Sequence, residues 1–268
     1  MKKIALIINS LEKGGAEKNA AKFANLLSKN YKVSIIKSYV GKKKLRNSYK
    51  LNNSVEVIDL KKILKKSSFA NLRKIFVLRK VLKLQNFDIA FSFLDRTNVL
   101  LLLSTLFIPV KKLVFERNNP FIGTHNIFLN FLRRILYFFC DFKLLVQSNS
   151  LKKDLKRLWG LNSYVLRNPI ELDLTKYRKK KNIICVSTRL DNNKNHMLLL
   201  KALTDTRIQN IYKSYKFKIY GKGHLENKLK KFIKKKKLEK KIRIYPPKDN
   251  INLEIKKADI FLLTSKTE

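Results

Sequence analysis

Residues 4–17 read Ile4-Ala5-Leu6-Ile7-Ile8-Asn9-Ser10-Leu11-Glu12-Lys13-Gly14-Gly15-Ala16-Glu17, and their reading decides the fold. The first five form an unbroken apolar run, as in a strand covered on both faces. Beyond the two glycines, Ala16, Ala20, Phe23 and Leu27 recur at helical spacing, so a strand, a tight turn and a helix follow one another. The same alternation continues outward. Short apolar runs at Val33–Ile36, Val55–Leu60, Phe87–Phe93, Leu113–Phe115 and Phe142–Val146 are separated in several places by helix-like segments. Strands joined through helices predict a parallel sheet with crossover connections.

The pattern lapses over Val165–Lys181, which contains Pro169 and ends in Arg178-Lys179-Lys180-Lys181, and then resumes. Asn182–Ser187 reads as a strand, Asn195–Leu203 as a helix and Tyr215–Tyr220 as a strand. Leu225, Leu229 and Phe232 mark another helix, Ile242–Tyr245 a strand stopped by Pro246-Pro247, Leu253–Ala258 a short helix and Ile260–Leu263 a last strand. The expected fold class is therefore α/β, with two doubly wound parallel-sheet domains, 1–166 and 182–268, joined by a linker at 167–181. The second domain ends on a strand without the helix that should cover it and reads as incomplete.

The 268 residues include 61 Lys+Arg against 19 Asp+Glu, a net charge of +42, and 45% are hydrophobic. That apolar fraction argues against disorder. Cys140 and Cys185 lie far apart within apolar runs, which argues against a disulfide scaffold and a zinc cluster. No apolar stretch approaches the ~20 residues of a spanning helix. Part of the lysine excess follows from a composition rich in Lys, Asn and Ile. The scarcity of acids still predicts a positive surface that attracts nucleic acid, anionic lipid or phosphorylated substrates.

Three motifs carry candidate chemistry. Gly14-Gly15 let backbone approach a ligand closely in front of a helix N-terminus; judged alone, the pair is better explained as a tight turn with Glu17 favourably placed in the first helical turn. Val186-Ser187-Thr188-Arg189-Leu190 places Arg189 at the carboxyl end of a strand, and Lys194 follows where the next helix starts. Ligands of open α/β sheets bind at that edge, and two permanent cations there suit a diphosphate leaving a sugar. Tyr220-Gly221-Lys222-Gly223-His224 repeats a glycine turn after a strand, with His224 as a turn residue. The histidines lack partners at metal-ligand spacing and there is no D-x-D pair, so no metal and no cofactor are implied.

Taken in order, the motifs resemble those of the family-4 retaining glycosyltransferases of the GT-B class. The matching stretches are Gly14-Gly15-Ala16-Glu17, Phe115-Glu116-Arg117-Asn118-Asn119-Pro120 and Arg167-Asn168-Pro169-Ile170. They continue with Ser187-Thr188-Arg189-Leu190 through Lys194, Gly221-Lys222-Gly223 with Glu226, and Lys257-Ala258-Asp259-Ile260-Phe261-Leu262-Leu263-Thr264-Ser265. The resemblance implies two Rossmann-like domains facing a cleft, and it is greatest to the branch that builds bacterial surface polysaccharides, lipopolysaccharide and lipid-linked oligosaccharides.

The same resemblance implies roles for individual residues. Arg189 and Lys194 bind the donor diphosphate, and Gly14, Gly15, Glu17, Arg117, Asn118, Gly221 and Gly223 line the donor and acceptor cleft. Glu268 matches the first of two family glutamates eight positions apart and contacts the donor sugar; the second would fall beyond the last residue, so the chain reads as a truncated transferase. By the same resemblance the donor is a UDP- or GDP-linked sugar, the acceptor a glycan or a polyprenyl-pyrophosphate-linked glycan, and nucleic acid is not a partner. Transfer is metal-independent and retains configuration, in the cytoplasm at the inner face of the membrane. Two other readings stay open on residues alone: a basic nucleic-acid-binding protein and an inactive remnant.

The charge has a candidate address in Lys61–Leu84, which holds no acid and sets Phe69, Leu72 and Phe76 at helical spacing, with Leu78 and Leu82 continuing an apolar side. Such a helix suits an anionic membrane or the pyrophosphate of a lipid-linked acceptor, with Lys65, Lys66, Arg73 and Lys74 as its cations, or else it packs its apolar side on the sheet. Trp159 and the many Phe residues read as core.

Overall fold

Apolar runs alternating with helical patterns produce two all-parallel sheets in the computed structural model, which describes residues 1–12, 14–39, 48–64, 70–117, 127–169, 182–248 and 250–266. The chain divides into two compact units, Met1–Glu171 and Leu172–Glu268. Most of the segment 167–181 lies outside the described residues.

Unit 1 runs β1 (Lys3–Ile8), α1 (Gly15–Leu27), β2 (Lys32–Lys37), β3 (Val55–Asp59), α2 (Leu60–Ile63), α3 (Ala70–Leu84) and β4 (Ile89–Phe93). It continues with α4 (Asp95–Ser104), β5 (Lys111–Glu116), α5 (Ile127–Phe139), β6 (Lys143–Val146), α6 (Asn149–Trp159) and β7 (Tyr164–Val165). The seven strands lie in the order β3-β2-β1-β4-β5-β6-β7, with Ile4 opposite Val33 on one side and Ile89 on the other. Because side chains alternate along a strand, β1 serves two cores. Ile4, Leu6 and Ile8 join Phe23 of α1 with Phe91, Phe93 and Phe115, whereas Ala5 and Ile7 join Leu78, Leu82, Leu101 and Leu136 from α3, α4 and α5. The helix α4 is buried on nearly every side. The helix α6 starts at Ser148, whose hydroxyl accepts from the Leu151 N–H at 3.2 Å, and stops at Gly160, whose φ of 70° favours glycine.

Unit 2 runs β8 (Ile183–Ser187), α7 (His196–Ala202), a 3-10 turn (Thr206–Ile208), α8 (Gln209–Tyr212), β9 (Lys216–Tyr220), α9 (Glu226–Lys235), β10 (Ile242–Tyr245), α10 (Ile251–Lys257) and β11 (Ile260–Phe261). Its strand order is β10-β9-β8-β11. One face packs Ile184, Val186, Phe217 and Ile219 under α7 and α9. The other is thinner, with Cys185 and Tyr220 meeting Ile251, Ile255 and Ala258. The last strand spans two residues rather than the expected four.

The aromatic residues correct one expectation. Trp159 packs on the core, but Phe76, Phe107, Phe128, Phe131, Phe138 and Phe139 are exposed. A helix such as α5, apolar on two sides, has only one sheet to bury against, and periodicity alone does not mark which side is left over. In α3 the apolar stripe of Leu78 and Leu82 is core, while Leu72 and Phe76 face outward.

Candidate functional site

In the order β10-β9-β8-β11 the winding of successive strands switches sides between β8 and β11, and the crevice beyond the carboxyl ends of such strands is where open sheets bind ligands. The loop from Thr188 to Asn195 lies there. Its anchor is Leu190, fully buried, whose N–H donates to the Lys222 carbonyl at 3.1 Å and whose carbonyl accepts from the Leu225 N–H at 3.2 Å. Either side of this anchor stand Arg189 and Lys194, and Asp191 links them. One carboxylate oxygen accepts from the Lys194 backbone N–H at 3.1 Å, and the other pairs with the Arg189 Nε at 3.4 Å. The Arg189 side chain is 80% exposed, so its guanidinium is tethered without being used up. The residues after β11 close the other side. The Thr264 hydroxyl donates to the Lys194 carbonyl at 2.9 Å, and the Lys266 N–H donates to the Asn193 carbonyl at 2.8 Å.

His196 begins α7 beneath this loop. It is fully buried, its Nε2 lies 2.8 Å from the Thr188 hydroxyl, and its Nδ1 has no partner among the described residues. Burial pushes its pKa down, with Asp191 opposing and Lys194 reinforcing that shift, so it is a neutral support. Gly221 and Gly223 have an equally local reason to be glycine. A Cβ on Gly221 would stand 2.1 Å from the Thr188 carbonyl oxygen, and one on Gly223 2.2 Å from that of Leu190. The close approach they permit is to the backbone that carries Arg189. Glu226 pairs with Lys230 at 2.6 Å, and Glu268 lies outside the described residues.

In unit 1 the switch falls between β1 and β4. The Gly14 N–H donates to the Tyr49 hydroxyl at 2.7 Å, and that hydroxyl donates to the Gly14 carbonyl at 2.8 Å, which ties the turn to the segment before β3. Gly14 is extended (φ −169°, ψ 158°), and an added Cβ would meet only the mobile end of Glu17; at Gly15 it would meet nothing within 4 Å. Leu94, after β4, has φ 78° and ψ 153°, a region that costs a side-chain-bearing residue about 1–3 kcal/mol and is common at ligand sites.

Arg117 follows β5. Its guanidinium sits 5.4 Å above the Phe115 ring, and its Nη1 is buried with no hydrogen-bond partner among the described residues. Burial pulls its pKa down, and the Glu17 carboxylate offsets part of that. Glu17 thus lies within electrostatic reach of Arg117, while Asn118 lies outside the described residues. Of the basic-helix residues, Arg73 is exposed, and Lys74 is half-buried with its pKa lowered by burial and then by Arg96; Lys65 and Lys66 lie outside the described residues.

Sequence reasoning missed a buried polar cluster at the end of β5. Glu116, the last residue of β5, is fully buried, with one oxygen accepting from Arg133 Nη1 at 3.1 Å, from the Tyr137 hydroxyl at 2.5 Å and from Asn98 Nδ2 at 3.3 Å. The Ser92 hydroxyl donates to Asn98 Oδ1 at 2.7 Å, and Arg133 reaches Asn130 at 2.6 Å while lying over the Trp159 ring. Burial drives the Glu116 pKa up against the pull of Arg133, and raises that of Tyr137 well above its ordinary value. Among the described residues no helix is long and apolar enough to cross a membrane.

Comparisons with known proteins bear on the family and the fold. The family model described as glycosyl transferases group 1 matches residues 172–268. Over 276 aligned residues the chain is 32% identical to GalNAc-alpha-(1->4)-GalNAc-alpha-(1->3)-diNAcBac-PP-undecaprenol alpha-1,4-N-acetyl-D-galactosaminyltransferase of Campylobacter jejuni subsp. jejuni serotype O:2, covering 100% of this chain and 74% of that one. Among solved structures it is similar to a Staphylococcus aureus TarM mutant in complex with Fondaparinux, alpha-GlcNAc-glycerol and UDP. There the TM-score is 0.76 at 11% identity, over 100% of this chain and 82% of that one. It is also similar to Anabaena HepE in complex with UDP and glucose, with a TM-score of 0.74 at 14% identity, over 99% and 74% of the two chains. These likenesses establish the GT-B architecture.

Proposed function

From the premise that this chain belongs to the group 1 glycosyltransferases and acts in surface-glycan synthesis, we propose that it moves an N-acetylhexosamine or hexose, with retention, from a UDP-sugar to a polyprenyl-pyrophosphate-linked glycan. The observation that carries the reading is the loop after β8, where Asp191 holds Arg189 and Lys194 on one carboxyl edge. The UDP in structural neighbours supports the donor, and the PP-undecaprenol-linked substrate in the Campylobacter relative's name supports the acceptor. Such an acceptor places the work at the inner face of the cytoplasmic membrane.

In the proposed reaction the bond from the sugar's anomeric carbon to the β-phosphate oxygen breaks, and a bond to the acceptor oxygen forms on the same face. The acceptor proton passes to the departing phosphate oxygen. The negative charge that grows on the diphosphate meets the Arg189 guanidinium and the Lys194 ammonium. Catalysis of this kind is positioning plus charge stabilisation and needs no separate protein base. The Gly14-Gly15 turn and Arg117 serve the sugar and acceptor side of the same reading, and Glu268 serves the donor sugar.

The test incubates the protein with UDP-sugars and GDP-sugars and a synthetic polyprenyl-pyrophosphate glycan. Transfer from a UDP-sugar, with retained anomeric configuration by NMR, is expected. Arg189→Ala is expected to lower kcat/KM by about 10²-fold, as removal of a preorganised charge-stabilising donor does. Wild-type turnover in Arg189→Ala, an inverted linkage or transfer from GDP-sugars alone would each overturn the corresponding part.

A further inference from the structure

The helix α5 reads Ile127-Phe128-Leu129-Asn130-Phe131-Leu132-Arg133-Arg134-Ile135-Leu136-Tyr137-Phe138-Phe139, and it has two apolar faces. The inner one, with Leu132, Leu136 and Tyr137, packs on the core and carries Arg133 to Glu116. On the outer one Phe131, Phe138 and Phe139 are 63, 79 and 78% exposed, and Phe128 is similarly bare. Large rings are rarely left in water in such a group without a partner. Between them runs a shallow groove of about 370 Å³ lined by Phe131, Arg134, Ile135, Phe138, Phe139 and Trp159.

Charge indicates the occupant. Neither α5 nor α3 contains an Asp or Glu, and both flank the buried α4 in one helical layer. Exposed Arg134 stands among the α5 rings, while Arg73, Lys80 and Lys83 are exposed on α3 together with Leu72 and Phe76. Exposed rings interleaved with cations on helices that carry no carboxylate, with Asp141 the nearest acid beyond the end of α5, match an anionic lipid surface, where the rings enter the acyl boundary and the cations meet head groups. A second copy of the chain would set Arg134 against an equally acid-free face.

We propose that the outward face of α5, centred on Phe131, Phe138 and Phe139, docks this protein onto an anionic phospholipid bilayer, with Leu72 and Phe76 of α3 as a lesser contact. The docking surface is thereby assigned to α5, a helix the basic pattern at Lys61–Leu84 does not include. The inference deepens the lipid-linked acceptor reading, but its test contains no sugar donor, so binding and transfer can fail separately.

The experiment floats the 268-residue protein with vesicles of phosphatidylethanolamine and phosphatidylglycerol, and with pure phosphatidylcholine vesicles. Trp159, the single tryptophan and part of the groove, reports contact through quenching by brominated phosphatidylglycerol. Wild-type protein is expected to float with the anionic vesicles and to be quenched. The triple variant Phe131→Ser, Phe138→Ser, Phe139→Ser is expected to bind roughly 100-fold more weakly or worse, given the apolar area removed, with unchanged circular dichroism. Phe138→Ser alone serves if the triple variant does not fold, with a loss of about 5-fold or more. Leu72→Ser with Phe76→Ser is expected to cost less than the α5 variant. Absence of wild-type flotation, undiminished binding by the α5 variants, or a dimer in vesicle-free solution that the α5 variants alone break would overturn the proposal.

Discussion

At the turn after β9, a methyl group on Gly223 would stand 2.2 Å from the Leu190 carbonyl oxygen; at the turn after β1, one on Gly15 would meet nothing within 4 Å. Both are glycine turns at the carboxyl edge of a parallel sheet. In unit 2 the fold itself uses the missing side chains, because the loop with Arg189 rests on the β9 turn through paired backbone hydrogen bonds. In unit 1 the described protein leaves the space beside Gly15 empty. The cations differ in the same sense. Arg117 is largely buried within electrostatic reach of Glu17, whereas Arg189 is a surface cation restrained by Asp191. One edge has a buried ion pair at the end of its strand, the other is supported from the side by backbone.

The largest expected effect removes the cation of that buried pair. Arg133→Ala leaves Glu116 buried without its cation, and breaking a buried pair from one side costs about 3–5 kcal/mol. Urea unfolding is expected to show that loss in unit 1. A loss under about 1 kcal/mol would mean that Asn98 and Tyr137 suffice to hold Glu116 without its cation.

The support from the side is tested by Gly223→Ala. The new methyl collides with backbone rather than with a flexible side-chain end, so the loop must shift, at about 1–3 kcal/mol. Sugar transfer is expected to fall together with stability, toward the level of Arg189→Ala, because the displaced backbone carries the guanidinium. Full activity with a destabilised fold would separate the glycine from the cation it positions.

How much of this is readable from residues alone depends on the kind of signal. The strand at Ile4–Ile8 and its partners announce themselves because a run buried on both faces has nowhere else to go. The loop with Arg189 and Lys194 is readable as a motif, but its restraint is not. Asp191 sits two residues after Arg189 in plain view, yet Thr264, which holds the Lys194 carbonyl, comes from seventy residues away. The cluster of Ser92, Asn98, Glu116, Arg133 and Tyr137 is invisible for a stronger reason. Arg133 and Arg134 are neighbours of one type, and only the angle at which α5 meets the sheet buries one and exposes the other. The same angle decides which phenylalanines become core.

The smallest expected effect sharpens the comparison most, because it separates fold from ligand at one atom. Gly15 is the first residue of α1, and beyond its chain neighbours and its own helical turn an alanine there meets nothing within 4 Å. Replacing glycine by alanine in a compatible conformation restricts the unfolded chain and stabilises by about 0.4–1 kcal/mol. Gly15→Ala is therefore expected to leave thermal stability equal or slightly raised. If the empty space is where substrate approaches the turn, transfer falls although the fold is no weaker, and the acceptor KM is the parameter to measure. If transfer and stability are both untouched, the first glycine turn is only a turn, and the chemistry rests on the Arg189 edge alone.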